Sequence, residues 1–201
     1  MTSVFLVAPL LLAGLSSSDL FEEAHQAPPD RRAVVALDVF RQHPDLQRTE
    51  LDQLWSLVET ELVELRLEET EPLMRALHER YQAGWTTVNL ALLWQKLGRY
   101  DEVNDLFQTA IDQERRTGRG THGLVNQWGI LLLGQQADER GRTLLERAGA
   151  LGSDDAPCVL ARLDLAEDRP RRARARVEPL MLSTEPSAWA RRLWGLSLIE
   201  P

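Results

Sequence analysis

The chain has 201 residues, one cysteine and a formal net charge of −8, a length that buries roughly 70% of its extended surface without cross-links. Cys158 has no second thiol to pair with, and His25, His43, His78 and His122 stand too far apart for a zinc cluster, so neither a disulfide scaffold nor a structural metal is expected. An acidic chain repels a phosphate backbone, which sets general nucleic-acid binding aside.

The chain opens on "MTSVFLVAPLLLAGLSSSD", with an apolar run from Val4 to Leu15 followed by small residues. The run is shorter than the ~20 residues of a bilayer span. It fits the apolar region of a signal peptide, with Ser16 and Ser18 ahead of a cut near Asp19, although no basic residue precedes it. Residues 1–18 are therefore read as a segment that directs export, to the periplasm for a bacterial protein. The alternative is an uncleaved apolar helix on a cytoplasmic protein, packed on the domain or inserted into a partner or membrane. No Cys follows the run to carry a lipid anchor.

From Ser18 onward the apolar spacing is helical, with no strict alternation that would mark a strand. Ala33, Leu37 and Phe40 share a helix face in "DRRAVVALDVFRQHP", and Leu51, Leu54, Trp55, Val58, Leu62 and Leu65 mark a second helix. Residues 45–71 carry nine acids against Arg48 and Arg66; Glu61, Glu64 and Glu68 are expected along one exposed edge, where carboxylates keep ordinary pKa values and catalyse little. Breaks are expected at Pro28–Asp30, His43–Asp45, Glu69–Pro72, Gly98, Gly118–Gly123, Gly149–Asp155, Arg169–Pro170 and Thr184–Pro186. Asp30, Thr70 or Thr184 would serve as N-caps, with Pro72 or Pro186 in a first turn. About ten short helices result. The run "RPRRARAR", 169–176, reads as a solvated helix face, with Ala173, Val177 and Leu180 inward and the guanidinium groups outward.

One stretch repeats. Residues 84–117 place Thr87, Leu90-Ala91 and Trp94, then Gly98 and Tyr100, then Val103, Phe107 and Ala110. The same frame returns at 122–155 with Val125, Trp128-Gly129, Leu132, Gly141, Leu145 and Ala148, and at 154–187 with Leu160-Ala161, Ala173, Val177 and Leu180. This pattern resembles the 34-residue tetratricopeptide repeat (TPR). Thr87 stands where that family has Trp, Ala91 where it has Gly, and Arg115 where it has Pro. Small residues at Ala91 and Ala110 let helices approach, and Trp94 and Phe107 fill the space between them. The resemblance covers residues 19–187 and is weakest over 46–83. It implies an all-α fold, a right-handed superhelical stack of antiparallel helix pairs, closed by a C-terminal capping helix at 188–201 through Trp189, Leu193 and Leu196.

The resemblance also implies function. First helices of successive units line a concave groove that binds a partner's extended segment or helix. Carried over, the groove face is Trp85, Val88, Leu92, Gln95 and Lys96, then Gly123, Asn126, Ile130 and Leu133. The partner is expected to be a protein segment of apolar character, because a clamp for a terminal carboxylate would have only Lys96 and Asn126. The face is alternatively covered by the protein's own first helices.

No catalytic constellation competes with this reading, so no enzyme and no cofactor are expected. "GRGTHG", 118–123, has the spacing of a dinucleotide loop but follows a helix instead of a strand, and reads as a loop between repeats. Glu22 and His25 lack the second E-x-x-H of a di-iron site. Cys158 begins a helix, which could lower its pKa, yet it reads better as a buried, inert thiol. The functional expectation is a non-catalytic adaptor, scaffold or assembly factor. The alternative is a structural subunit of a membrane-associated or oligomeric assembly that uses the apolar N-terminus and the two charged poles.

Overall fold

The computed structural model describes residues 17–64 and 66–198; the Val4–Leu15 run and Leu65 lie outside them. The described residues form eleven α-helices and no strand. No helix among them is long and apolar enough to cross a membrane. The chain divides into two compact units, the first ending at Arg80 and the second beginning at Tyr81, next to the boundary between the weakest and the clearest stretches of the repeat pattern.

The first unit contains α1 (Ser17–Gln26), a 3-10 turn (Pro29–Arg31), α2 (Arg32–Gln42), α3 (Arg48–Val63) and most of α4 (Leu67–Tyr81). Ala33, Ala36, Leu37 and Phe40 recur at i, i+3, i+4 and i+7, so α2 buries one stripe. It meets Leu54, Leu57 and Val58 of α3, and Leu73, Met74 and Leu77 of α4 join the core. A capping box starts α3: the Gln47 side chain takes the Glu50 amide, and the Gln47 N–H donates to Glu50 Oε2 at 2.6 Å. Arg80 docks the end of α4 on α2. Its guanidinium lies 3.4 Å over the Phe40 ring and donates to the Phe40 and His43 carbonyls at 2.7 and 3.1 Å, satisfying acceptors that the helix end leaves open.

Three expectations fail here for identifiable reasons. Glu61 is not on an exposed edge but fully buried, its Oε2 accepting from Arg66 Nε at 2.8 Å with Arg32 at 3.7 Å. Arg66 also pairs with Glu64. Two arginines from outside α3 make burial of this carboxylate tolerable, and neither can be placed by helical spacing. The break expected at Glu69–Pro72 lies earlier, at Glu64–Arg66. Pro72 sits in the second turn of α4, where its ring forfeits one backbone hydrogen bond. Thr70 is interior, its hydroxyl donating back to the Arg66 carbonyl at 2.5 Å. The N-cap before the last helix is Ser187, which accepts from the Ala190 N–H at 3.1 Å, so neither Thr184 nor Pro186 holds its expected place.

His78, on α4, carries a pKa below its ordinary 6.5 because burial disfavours the imidazolium, with Glu79 pulling the other way. The folded chain therefore resists a proton that the unfolded chain accepts. Stability is constant above about pH 6.5 in this respect and falls as the pH drops below it. Denaturation followed from pH ~7.5 to ~5 should show this slope in the wild type and a shallower one in His78→Gln.

The second unit is a row of helix hairpins: α5 (Gly84–Lys96) with α6 (Tyr100–Arg116), α7 (His122–Gly134) with α8 (Asp138–Ala150), and α9 (Asp155–Ala166) with α10 (Pro170–Met181). Each hairpin turns the same way. The Arg99 N–H reaches the Trp94 carbonyl at 2.9 Å, Ala137 reaches Leu132 at 3.1 Å, and Arg169 reaches Asp164 at 2.8 Å. These are the six-to-one bonds of a Schellman cap, which puts the residue before each donor in the left-handed region. Those residues are Gly98, Gln136 and Asp168, with φ of +75°, +61° and +56°. Only the first is glycine. A side chain in this conformation costs roughly 1 kcal/mol, so Gln136→Gly should raise the midpoint of thermal unfolding without altering the fold.

Hairpin α7–α8 is the tightest. A Cβ built on Gly129 would lie 2.9 Å from Leu145 Cγ and 3.0 Å from the Gly141 carbonyl oxygen; one on Gly141 would lie 2.8 Å from Leu133 Cγ and 2.9 Å from the Gly129 carbonyl oxygen. The two backbones are in contact. Between α6 and α7, Phe107 and Trp128 stack at 5.9 Å, and Trp128 Nε1 donates to Asn104 Oδ1 at 2.9 Å.

Helix α11 (Ala188–Ser197) packs on α9 and α10, its Ala190 and Leu193 joining Cys158, Ala161, Ala173 and Val177 in one apolar cluster. Trp189 and Leu193 are turned to this cluster as expected, whereas Leu196 is 44% exposed. Arg174 donates to the Ser197 carbonyl at 2.8 Å and closes the helix end. The arginine run is likewise less solvated than its sequence implies. Arg176 Nε donates to the buried Asp164 at 2.6 Å, and Arg172 and Arg142 lie 3.8 and 3.5 Å from the same carboxylate.

Candidate functional site

Helices α5 and α7 are the first members of their hairpins and pack side by side. Each is apolar over most of its circumference, since one side must face its hairpin partner and another its neighbour. In α5, Leu90, Ala91, Leu93 and Trp94 are buried, while Trp85, Val88, Leu92 and Lys96 recur at i, i+3, i+7 and i+11 along the remaining edge. In α7, Leu124, Val125, Leu131 and Leu132 are buried and Ile130 is exposed.

A cavity of about 860 Å³ opens between these helices and the loops that follow α6 and α8. Of the residues expected to form the groove, it brings together Trp85, Val88, Gly123 and Asn126. The others lie off the cavity wall. Leu92 and Ile130 are exposed at 38% and 36%, and Lys96 is exposed. The Gln95 side chain is committed to its own protein, donating to the Leu131 carbonyl of α7 at 3.2 Å. Leu133 faces Gly141 of α8. The cavity thus takes in fewer residues than the groove the resemblance implies: Gln95 cross-braces α5 and α7, and Leu133 serves the hairpin.

The polarity of the site is uneven. Trp85 makes the apolar wall, steadied by Tyr81 at 6.4 Å between ring centroids. Asn126 is 3% exposed, and its Oδ1 has no hydrogen-bond partner. A buried amide oxygen without a donor costs roughly 1–3 kcal/mol, a cost that a ligand N–H would remove. Sequence reasoning missed the rim, where Glu114, Asp154 and Asp155 meet a single guanidinium, that of Arg119. Arg119 lies 3.8 Å from Glu114, which leaves the two aspartates without an ion-pair partner among the described residues. "GRGTHG" is a loop between hairpins, as expected, and supplies Arg119, Gly120 and His122 to this rim. The readable signal for the rest was the Asp154-Asp155 pair at the start of α9.

Those two aspartates also act on Cys158. Burial, then the charges of Asp155 and Asp154, push its thiol up to about 11. The helix start does not lower it, and the thiol is free and buried.

Repeated hairpins, small residues where helices cross and an open face on the first helices define an α-solenoid of the tetratricopeptide type. The comparisons agree at the level of fold. A crystal structure of a thermophilic TPR protein from Thermus thermophilus matches with a TM-score of 0.50 at 18% identity, covering 92% of this chain and 100% of that one. No family model matches the chain, and no curated protein matches it.

Proposed function

We propose that the chain is a non-catalytic protein-interaction module whose second unit receives an extended segment of a partner protein in the cavity between α5 and α7. Folds of this kind generally serve as interaction scaffolds, and the observation that supports the reading here is the orphaned amide of Asn126 in a cavity with an apolar wall. A peptide backbone supplies the missing N–H, and an apolar side chain of the same segment covers Trp85 and Val88.

Selection of a random dodecapeptide display library on the immobilised full chain tests this. The expected result is a set of peptides that bind the wild type and lose at least about tenfold in affinity to Val88→Arg and Asn126→Ala, both checked for unchanged helicity. Peptides that ignore both changes, or no enrichment at all, would overturn the reading.

A further inference from the structure

Resting on that reading, we infer that the segment the cavity takes carries a lysine or arginine side chain, which sits at the Asp154–Asp155 end while apolar neighbours cover Trp85. The first observation is charge. The cavity is lined by three carboxylates against one guanidinium, and Arg119 already has Glu114 at 3.8 Å. The charge left without an ion-pair partner therefore belongs to Asp154 and Asp155, at the start of α9.

The second observation is independent of charge. Asn126 lines the same cavity with its side chain almost wholly buried, and what its Oδ1 lacks is a donor. Lysine and arginine side chains are donors without acceptor capacity. A peptide segment with a basic side chain therefore satisfies the amide oxygen through its backbone N–H and the aspartates through its cation, whereas a carboxylate side chain would meet like charge at the rim. Trp85, on the wall of the same cavity, suits the apolar neighbours of that side chain. The net charge of −8 over the chain adds a long-range attraction for a basic segment.

The test uses the peptides selected on the full chain, blocked by acetylation and amidation so that side chains carry their only charges. The most enriched peptide is compared, by fluorescence anisotropy, with its counterparts bearing norleucine or glutamate in place of its basic residue. The expected outcome is an excess of Lys or Arg among the binders and about tenfold weaker binding of the norleucine peptide. Weakening by added salt and convergence of the two peptides on Asp154→Asn/Asp155→Asn complete the expectation. On Asp154→Lys/Asp155→Lys the glutamate peptide should bind best, which shows that the variant site is still folded. Binders that need Val88 and Asn126 but carry no basic excess, or that bind Asp154→Asn/Asp155→Asn unchanged, would overturn this inference and leave the groove reading standing. Binders indifferent to Val88 and Asn126 would remove both. So would the absence of any enriched peptide.

Discussion

Gly141→Val is expected to destabilise the second unit by about 3 kcal/mol or more, toward the upper end of what overpacking costs. The magnitude follows from what stands in the way. A flexible side chain can rotate from a new methyl group, but a Cβ at Gly141 also meets the carbonyl oxygen of Gly129 at 2.9 Å, and backbone yields only if the helix moves. Valine adds two further carbons and is restricted at χ1 besides. Separating α7 from α8 would loosen Leu132, Leu145 and Ala148, all of them buried, and would pull Trp128 off its stack with Phe107. Urea denaturation monitored by helicity measures the loss. Gly141→Ala should fall between wild type and valine, and Gly149→Ala is the control, because the nearest atom to its added Cβ is Pro157 at 3.7 Å, an ordinary contact. A Gly141→Val protein as stable as the control would mean that the hairpin is looser than its geometry.

That glycine was visible in the sequence as part of a frame, and the manner in which the frame could be read explains what else was legible. Apolar and small residues at fixed spacing report one helix against its nearest neighbours, so the units at 84–117, 122–155 and 154–187 emerge with the correct hairpins. The turns were legible where a glycine or a proline marks them. Gly98 announces its cap and Pro170 marks the break after Asp168, but Gln136 adopts the same left-handed conformation with a side chain that says nothing of it. Buried polar residues were the least legible. Glu61 and Asp164 are both fully buried, yet by pattern each is one more acid on a helix, because the arginines that hold them lie outside that helix. The candidate site divides in the same way. Trp85, Val88 and Asn126 follow from carrying the repeat's groove positions over to its first helices. The carboxylates that give the cavity its sign come from the last turn of α6 and the start of α9, and no periodicity links them to α5.

Removing the carboxylate of Asp164 should be about as costly as splitting the glycine contact. Asp164 is fully buried in α9 and meets three guanidinium groups: Arg176 at 2.6 Å and Arg172 at 3.8 Å from α10, and Arg142 at 3.5 Å from α8. Two of them have a second carboxylate, Glu146 at 3.3 Å from Arg176 and Glu167 at 2.7 Å from Arg142. The run at 169–176 is thus a clasp that joins three helices around one buried charge, and Asp164 is its centre. Without that charge Arg142 and Arg176, both largely buried, repel one another across a space that solvent reaches poorly. Breaking a buried pair in this way costs about 3–5 kcal/mol, because the group left behind keeps its desolvation penalty. Asp164→Asn preserves shape and some hydrogen bonding, so the loss it causes isolates the charge. The diagnostic measurement is a double-mutant cycle with Arg176→Met. If the network acts as described, the arginine change alone is destabilising but recovers part of the stability lost in Asp164→Asn, so the two effects combine to less than their sum. Strict additivity would show that Asp164 and Arg176 touch without being coupled, and that α8, α9 and α10 are held by their apolar contacts alone.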